Sequence, residues 1–214
     1  MKIIYFYDAL CGWCYGFSDV MVKLKNKWER EIEFETISGG MISGERVGPL
    51  SQMAPYIKTA YKTVEERSGM KFGDVFVNDV LEKGEVILSS EPPSRALSTF
   101  KFLQPGNSVM QAHAIQKAFY FDGHDLNKTE TYRAIATQLD IDADDFSILF
   151  ESDHMKSKTE EDFYLTQQFG ITGFPAVIMI KDEQYYLVAR GYADFDHIDS
   201  AIEKVKNGIP ANQI

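Results

Sequence analysis

The sequence predicts an α/β protein whose small sheet domain is split by an all-helical segment in the middle of the chain. Three observations carry this reading. Runs rich in β-branched and aromatic residues are confined to the two ends of the chain. Residues 44–155 show the apolar spacing of helices, almost without strand signals. The resulting order is β-α-β, a helical block, then α-β-β-α, and helices this close in sequence pack mainly on one another. The sheet domain is therefore expected from residues 1–43 and 156–214, and the inserted helical domain from 44–155.

The first strand is read at Lys2–Tyr7, "KIIYFY". A helix then starts near Cys11, with Phe17, Val20, Met21, Leu24 and Trp28 at helical spacing. "EIEFETI", Glu31 to Ile37, alternates acidic and apolar residues as a strand and ends at Ser38-Gly39-Gly40. In the helical block, Ile57, Tyr61 and Val64 form one stripe that stops at Ser68-Gly69. Pro92 and Pro93 open the next helix, with Ala96, Leu97, Phe100 and Leu103 on one face. Asn107 is placed to cap a third, with Met110, Ala114, Ala118 and Phe121 as its stripe. Asn127 with Glu130 resembles a capping box for a fourth, bearing Tyr132, Ile135, Ala136 and Leu139. A short segment around Phe146, Leu149 and Phe150 completes the block. A helix from about Lys158 to Phe169 then ends at Gly170. "PAVIMI", Pro175 to Ile180, is apolar throughout and so expected at the centre of the sheet. "DEQ" turns the chain into "YYLVAR", an antiparallel partner. Asp194 caps a last helix carrying Phe195, Ile198, Ile202 and Val205, which Asn207, Gly208 and Pro210 stop.

The formal charge is −10 over 214 residues, which argues against a nucleic-acid or anionic-membrane surface. No stretch approaches the roughly 20 apolar residues of a membrane span. "KIIYFY" is followed by aromatics and Asp8 with no small-residue cleavage site, so it reads as a strand rather than a signal segment, and a cytoplasmic location is expected.

Both cysteines lie in "YDALCGWCYGF", spaced C-x-x-C at Cys11 and Cys14. At the first turn of a helix, free N–H groups and the dipole favour a thiolate on the first cysteine. A thiolate attacks disulfides, and the second cysteine, one turn on, lies within reach to close an intramolecular disulfide. Cys11 is therefore the nucleophile candidate and Cys14 the resolving thiol. Two other readings compete: a buried, inert pair, or half of a zinc or cluster site. The second needs ligands from another subunit. There is no second C-x-x-C, and His113, His124, His154 and His197 show no ligand-like spacing. Far along the chain, "GITGFPAVIMI" puts Pro175 at the first residue of the central strand. Proline often begins a strand; the sharper reading is a cis Phe174–Pro175 bond beside the thiols.

A strand, a C-x-x-C helix, a strand, then a helix, a Pro-initiated strand, a hairpin and a helix resembles the thioredoxin fold, and the helical insertion resembles the DsbA family. "YDALCGWCYGF", "EPPSRA", "YFDGHDLN" and "GITGFPA" are similar to cytoplasmic DsbA-like proteins. That group includes FrnE-type oxidoreductases and 2-hydroxychromene-2-carboxylate isomerases. The resemblance spans nearly the whole chain. It implies a thioredoxin-like fold, Cys11 as an exposed nucleophile, Cys14 as its partner and Pro175 as a cis proline. Gly12, Trp13, Phe174 and Pro175 become the substrate-binding candidates. The isomerases and kappa-class glutathione transferases usually carry serine at the matching nucleophile, so retention of both cysteines favours dithiol chemistry. Gly12-Trp13 lacks the Pro-His of periplasmic DsbA, which implies a less extreme thiol and a less oxidising couple. Phe174 is bulkier than the residue usual before that proline and is expected to narrow the groove.

Asp8, three residues before Cys11, is a candidate for tuning the thiols, against the commoner role of shaping the turn. Ser94 and Arg95 are weighed as glutathione-carboxylate ligands against plain helix-end roles. His113 reads as a packed or surface residue rather than a base. The function expected is a thiol–disulfide oxidoreductase, with protein-disulfide isomerase activity as one form of it, acting on a protein or small-molecule disulfide or thiol. It calls for no metal and no bound cofactor beyond glutathione as a co-substrate. The alternatives are a glutathione-dependent transferase or isomerase, and a non-catalytic module sharing a metal across a dimer.

Overall fold

The computed structural model describes residues 1–209 of the chain. Its elements, in order, are β1 (Lys2–Tyr7), α1 (Gly12–Trp28), β2 (Glu33–Ser38), β3 (Gly48–Pro49), α2 (Ala54–Ser68), a π-helical turn (Phe76–Val80) running into α3 (Leu81–Lys83), β4 (Ile87–Leu88), α4 (Glu91–Leu103), α5 (Ser108–Tyr120), α6 (Thr129–Gln138), α7 (Ala143–Phe150), α8 (Asp153–Gln168), β5 (Ala176–Lys181), β6 (Gln184–Arg190) and α9 (Phe195–Lys206). A four-stranded sheet runs in the order β2-β1-β5-β6, with β1 parallel to β2 and antiparallel to β5. The apolar β5 is thus interior to the sheet, as its composition requires. The β5–β6 turn is made by Asp182 and Glu183, both left-handed at φ 50° and 62°, the backbone that a two-residue hairpin turn demands.

Alternation along β1 decides where the cores lie. Ile3, Tyr5 and Tyr7 face a large core shared with α1, α5, α9 and the helical insertion. Ile4 and Phe6 face a smaller cluster with Ile37, Ala176 and Ile178, covered by Phe169 and Leu187. The α1 stripe, Phe17 to Trp28, is buried throughout.

Several expectations need correction. β2 begins at Glu33, because Glu31 and Ile32 still turn back onto Trp28 through backbone hydrogen bonds. The helical block also contains a two-stranded ribbon, β3 with β4. Asn107 precedes α5, but its side chain does not cap it; the amide donates to Gln104 Oε1 at 2.8 Å. Of the expected α5 stripe only Ala118 is sealed; Met110 and Ala114 are half-buried and Phe121 is exposed, while Val109, Ala112, Ile115, Phe119 and Tyr120 are buried together with Ser108, Gln111 and Gln116. The helix lies between α1 and α4, so two flanks are covered instead of one. The Asn127–Glu130 capping box does not form: Asn127 Nδ2 donates to Ile87 O and Asp125 Oδ1, and Lys128 holds the position before α6. α8 starts five residues early because Ser152 caps it. Asp194 caps α9 as expected, accepting from the His197 amide at 2.8 Å. Pro210 lies outside the described residues.

Candidate active site

The backbone turns sharply after β1: the Cys11 amide donates to Asp8 O at 3.1 Å, and the Cys11 carbonyl accepts the first α1 hydrogen bond, from Tyr15 at 3.0 Å. Cys11 is the residue before α1 and Cys14 lies in its first turn, so both sulfurs sit at the positive end of the helix. Both cysteines are free. Cys11 is 8% exposed and Cys14 0%. The expectation of an openly exposed Cys11 is therefore corrected: its access is through a cavity, because α2 lies over the start of α1. Burial pushes the Cys14 thiol well up, and the neighbouring Cys11 sulfur adds to this.

The sheet brings the distant segment to the thiols. β5 pairs with β1, placing Phe6 opposite Ala176, so the residues before β5 emerge beside the residues after β1. The Phe174–Pro175 bond is cis, and the Cys11 thiol donates to the Phe174 carbonyl with Sγ 3.7 Å from the oxygen. The far end of the Phe174 ring packs against Gly39, where a Cβ would run into Cζ and Cε1 and so occupy the ring's own space. Gly39→Ala is expected to swing that ring aside, lowering stability by about 1 kcal/mol by overpacking; thermal melting would read the loss, and unchanged melting with an unchanged cavity would count against the contact.

In front of Cys11 lies an apolar cavity of about 260 Å³. Leu10 lines it from the turn before α1 and Trp13 from the first turn of α1, Met41 and Ile42 from the loop after β2, Ile57 and Tyr61 from α2, and Phe174 from the segment before β5. Trp13 is half-buried against the Tyr192 ring, 6.0 Å between centroids. Gly12 also lines the cavity.

Asp8 is fully buried. Its Oδ1 accepts from the Leu10 amide at 3.0 Å and Ser90 Oγ at 3.0 Å, and its Oδ2 from the Met41 amide at 2.7 Å. Burial raises its pKa against the pull of these donors. Ser90 and Met41 escaped the sequence reading. Ser90 sits at an N-cap position before the paired prolines, but its hydroxyl serves Asp8 while accepting from the Ile42 amide. Gln116 was missed too; it donates to Asp8 O at 3.2 Å.

Ser94 and Arg95 do not join the site. Ser94 is buried in α4, and Arg95 is tied to Glu91, Glu151, the Phe150 carbonyl and the Phe150 ring. His113 pairs with Ser18 Oγ at 2.9 Å between α5 and α1. Among the described residues no group of three or more His, Cys, Asp or Glu side chains is placed to hold a metal ion, and no helix is long and apolar enough to cross a membrane.

Comparison with solved structures supports the fold. A candidate protein disulfide isomerase from Nitrosomonas europaea is 25% identical with a TM-score of 0.85, covering 97% of this chain and 98% of that one. The cytosolic disulfide reductase DsbM from Pseudomonas aeruginosa is 19% identical with a TM-score of 0.80, covering 97% and 99%; it is also known in a structure with GSH. A 2-hydroxychromene-2-carboxylate isomerase is 14% identical with a TM-score of 0.67, covering 97% of each chain. A search among curated proteins returned no significant match. The model of the DSBA-like thioredoxin domain matches residues 2–203. With a C-x-x-C helix following β1, a cis proline opening β5 and a helical insertion between β2 and α8, the chain belongs to the DSBA-like thioredoxin domain family of thiol–disulfide oxidoreductases.

Proposed function

We propose that the protein exchanges disulfides through the Cys11–Cys14 dithiol. The observation that carries this is the unequal setting of two free thiols one helical turn apart. Cys11 opens onto a cavity and touches the segment before Pro175, while Cys14 is sealed behind it. The Cys11 thiolate attacks one sulfur of a substrate disulfide, forming the Cys11 mixed disulfide and expelling the other half as a thiolate. The Cys14 thiolate then attacks the Cys11 sulfur, closing Cys11–Cys14 and releasing the second half. The substrate disulfide gains two electrons, the dithiol loses two, and the two thiol protons pass to the released thiolates. Run backwards, the same steps oxidise a substrate dithiol; when a second substrate thiolate attacks the Cys11 mixed disulfide in place of Cys14, the substrate disulfide is rearranged and Cys11 leaves as the thiolate. Gly12, Trp13, Phe174 and Pro175 are assigned to the substrate-facing rim.

Glutathione is proposed as the soluble thiol that resets the dithiol, a reading supported by the fold it shares with DsbM, which has been solved with GSH. A cytoplasmic setting is proposed on the same likeness to a protein named as cytosolic. The helical insertion, residues 44–155, is assigned the role of walling the cavity.

The test is a redox titration in glutathione buffers, read by Trp13 fluorescence and by thiol alkylation. A single reversible two-electron transition, absent in Cys11→Ser, is expected. Two thiols freely alkylated at every potential would sink the dithiol reading and leave the glutathione-dependent alternative in its place.

A further inference from the structure

The cavity in front of Cys11 constrains what the sulfur can carry. Its lining contains no charged side chain; the polar side-chain groups among the lining residues are the Cys11 thiol, the tyrosine hydroxyls and the Trp13 indole N–H. An unpaired carboxylate or ammonium group is strongly disfavoured in such a setting. Its size sets a second limit: an apolar cavity of about 150 Å³ suffices for benzene, so about 260 Å³ takes one ring with a short linker and little more. The character of the walls sets a third. Tyr61, Phe72, Tyr120 and Phe174 are among its lining residues, and Phe72 already pairs tilted with Tyr61 at 5.6 Å and edge-on with Tyr120 at 5.2 Å, the spacing at which a further ring is accepted.

We propose that the substrate half which becomes bonded to Cys11 carries an uncharged aromatic group one or two atoms from its sulfur, and that this ring fills the cavity. The proposal rests on the reading of Cys11 as the attacking thiol and names the substrate class of that site. Both carboxylates and the ammonium group of a glutathionyl half must then stay outside, at the Trp13 rim. The step is the exchange already described: the Cys11 sulfur bonds to the aromatic thiol's sulfur, and the other half leaves with the electron pair of the broken S–S bond.

The test uses pre-reduced protein in single turnover, so no external reductant enters. Two mixed disulfides with thionitrobenzoate are compared, one of phenylmethanethiol and one of glutathione, both releasing the same yellow thiolate. Each rate is divided by the rate with free dithiothreitol to remove intrinsic reactivity. A normalised preference for the benzyl compound of about tenfold or more is expected, the usual scale of discrimination by an apolar pocket. Ala60, on α2 and lining the cavity, supplies the variant: Ala60→Phe puts a ring into the space and should bring the preference down toward one. Benzyl alcohol, which cannot react, should saturably change Trp13 fluorescence in Cys11→Ser, a readout that holds even if Ala60→Phe folds poorly. The same preference with N-acetyl-Phe-Cys-amide in place of phenylmethanethiol would put the ring on a protein substrate; a preference confined to the small thiol would put it on a small molecule. Equal normalised rates, with release still dependent on Cys11, would overturn the aromatic assignment and leave the dithiol reading intact. Release no faster than in Cys11→Ser for either compound would remove the dithiol reading itself.

Discussion

Cys11→Ser will lose disulfide exchange by roughly a thousandfold or more, because a hydroxyl with no adjacent base is a poor nucleophile at neutral pH. Cys14→Ser will behave differently. Its Cys11 still opens onto the cavity, so the first attack is expected to stay within about tenfold of the parent rate, the variant losing only its resolving thiol. It will then stop at the mixed disulfide, seen as a mass increment equal to one substrate half. The two variants together separate the roles that burial suggests, 8% exposure against 0%. Sustained turnover of Cys14→Ser with glutathione would instead favour the transferase or isomerase reading.

The sealed position of Cys14 adds a pH signature. Burial is the largest cause holding its thiol up, and the Cys11 sulfur is the next. Once Cys11 is tied into a mixed disulfide, the contribution of its charge vanishes but burial remains. The thiolate fraction at Cys14 should therefore still be small near neutrality. Release of the second product should rise about tenfold per pH unit until the thiol is titrated, as thiolate-limited exchange does. Quenching the mixed disulfide at successive times across the neutral range measures this slope, and a flat profile would place another step in control.

What could be read from the residues follows from how one-sided each element is. α1 is buried along one stripe, so Phe17, Val20, Met21, Leu24 and Trp28 announce it. α5 is covered on two flanks, and it takes Gln111 and Gln116 inside by giving their amides to the Phe100, Gln104 and Asp8 carbonyls. A pattern that equates polar with outside misplaces its stripe. In α2, Ile57, Tyr61 and Val64 share one period, yet only Val64 is sealed, while Ile57 and Tyr61 remain partly open beside the cavity. A wall facing a cavity has the same spacing as a wall facing a core, so a groove supplied by the helical insertion is expected from the residues, but that Ile57 and Tyr61 line it is not. The meeting of Cys11 with Phe174 was legible through the resemblance, which implies a cis proline beside the dithiol; the β1–β5 pairing that brings it about is seen only in the structure. The Asp8 network was not, since Met41, Ser90 and Gln116 reach it from three separate segments with no shared motif.

That network carries the second large expected effect. Asp8→Ala removes the acceptor for the Leu10 amide, the Met41 amide and the Ser90 hydroxyl, all in a buried setting. Leaving buried donors unpaired costs about 1–3 kcal/mol each, offset by no longer burying a carboxylate, so a net loss of about 3 kcal/mol is expected. For a chain of this size that is roughly 10 °C in thermal midpoint. Asp8→Asn keeps the shape but turns an amide toward the Met41 N–H, and should lose less. The pH dependence of that difference has a definite sign. The folded-state pKa of Asp8 is raised, first by burial, so its protonation favours the folded state. The stability it contributes is fully present below the ordinary aspartate pKa of 3.8 and is lost as pH rises through the folded value. Asn has no such titration, so the parent's advantage over Asp8→Asn should be largest in acid and shrink toward neutrality. Taking the difference between the two proteins cancels Asp162, raised by burial in the same way, and Glu35, which burial pushes up but Lys2 and Lys101 together bring below the ordinary value. With three donors already on its oxygens, Asp8 is expected to act by positioning the turn before Cys11. The pH slope of product release should then be the same in Asp8→Asn as in the parent protein. A shifted slope at temperatures where the variant is fully folded would instead make Asp8 the group that takes the Cys14 proton.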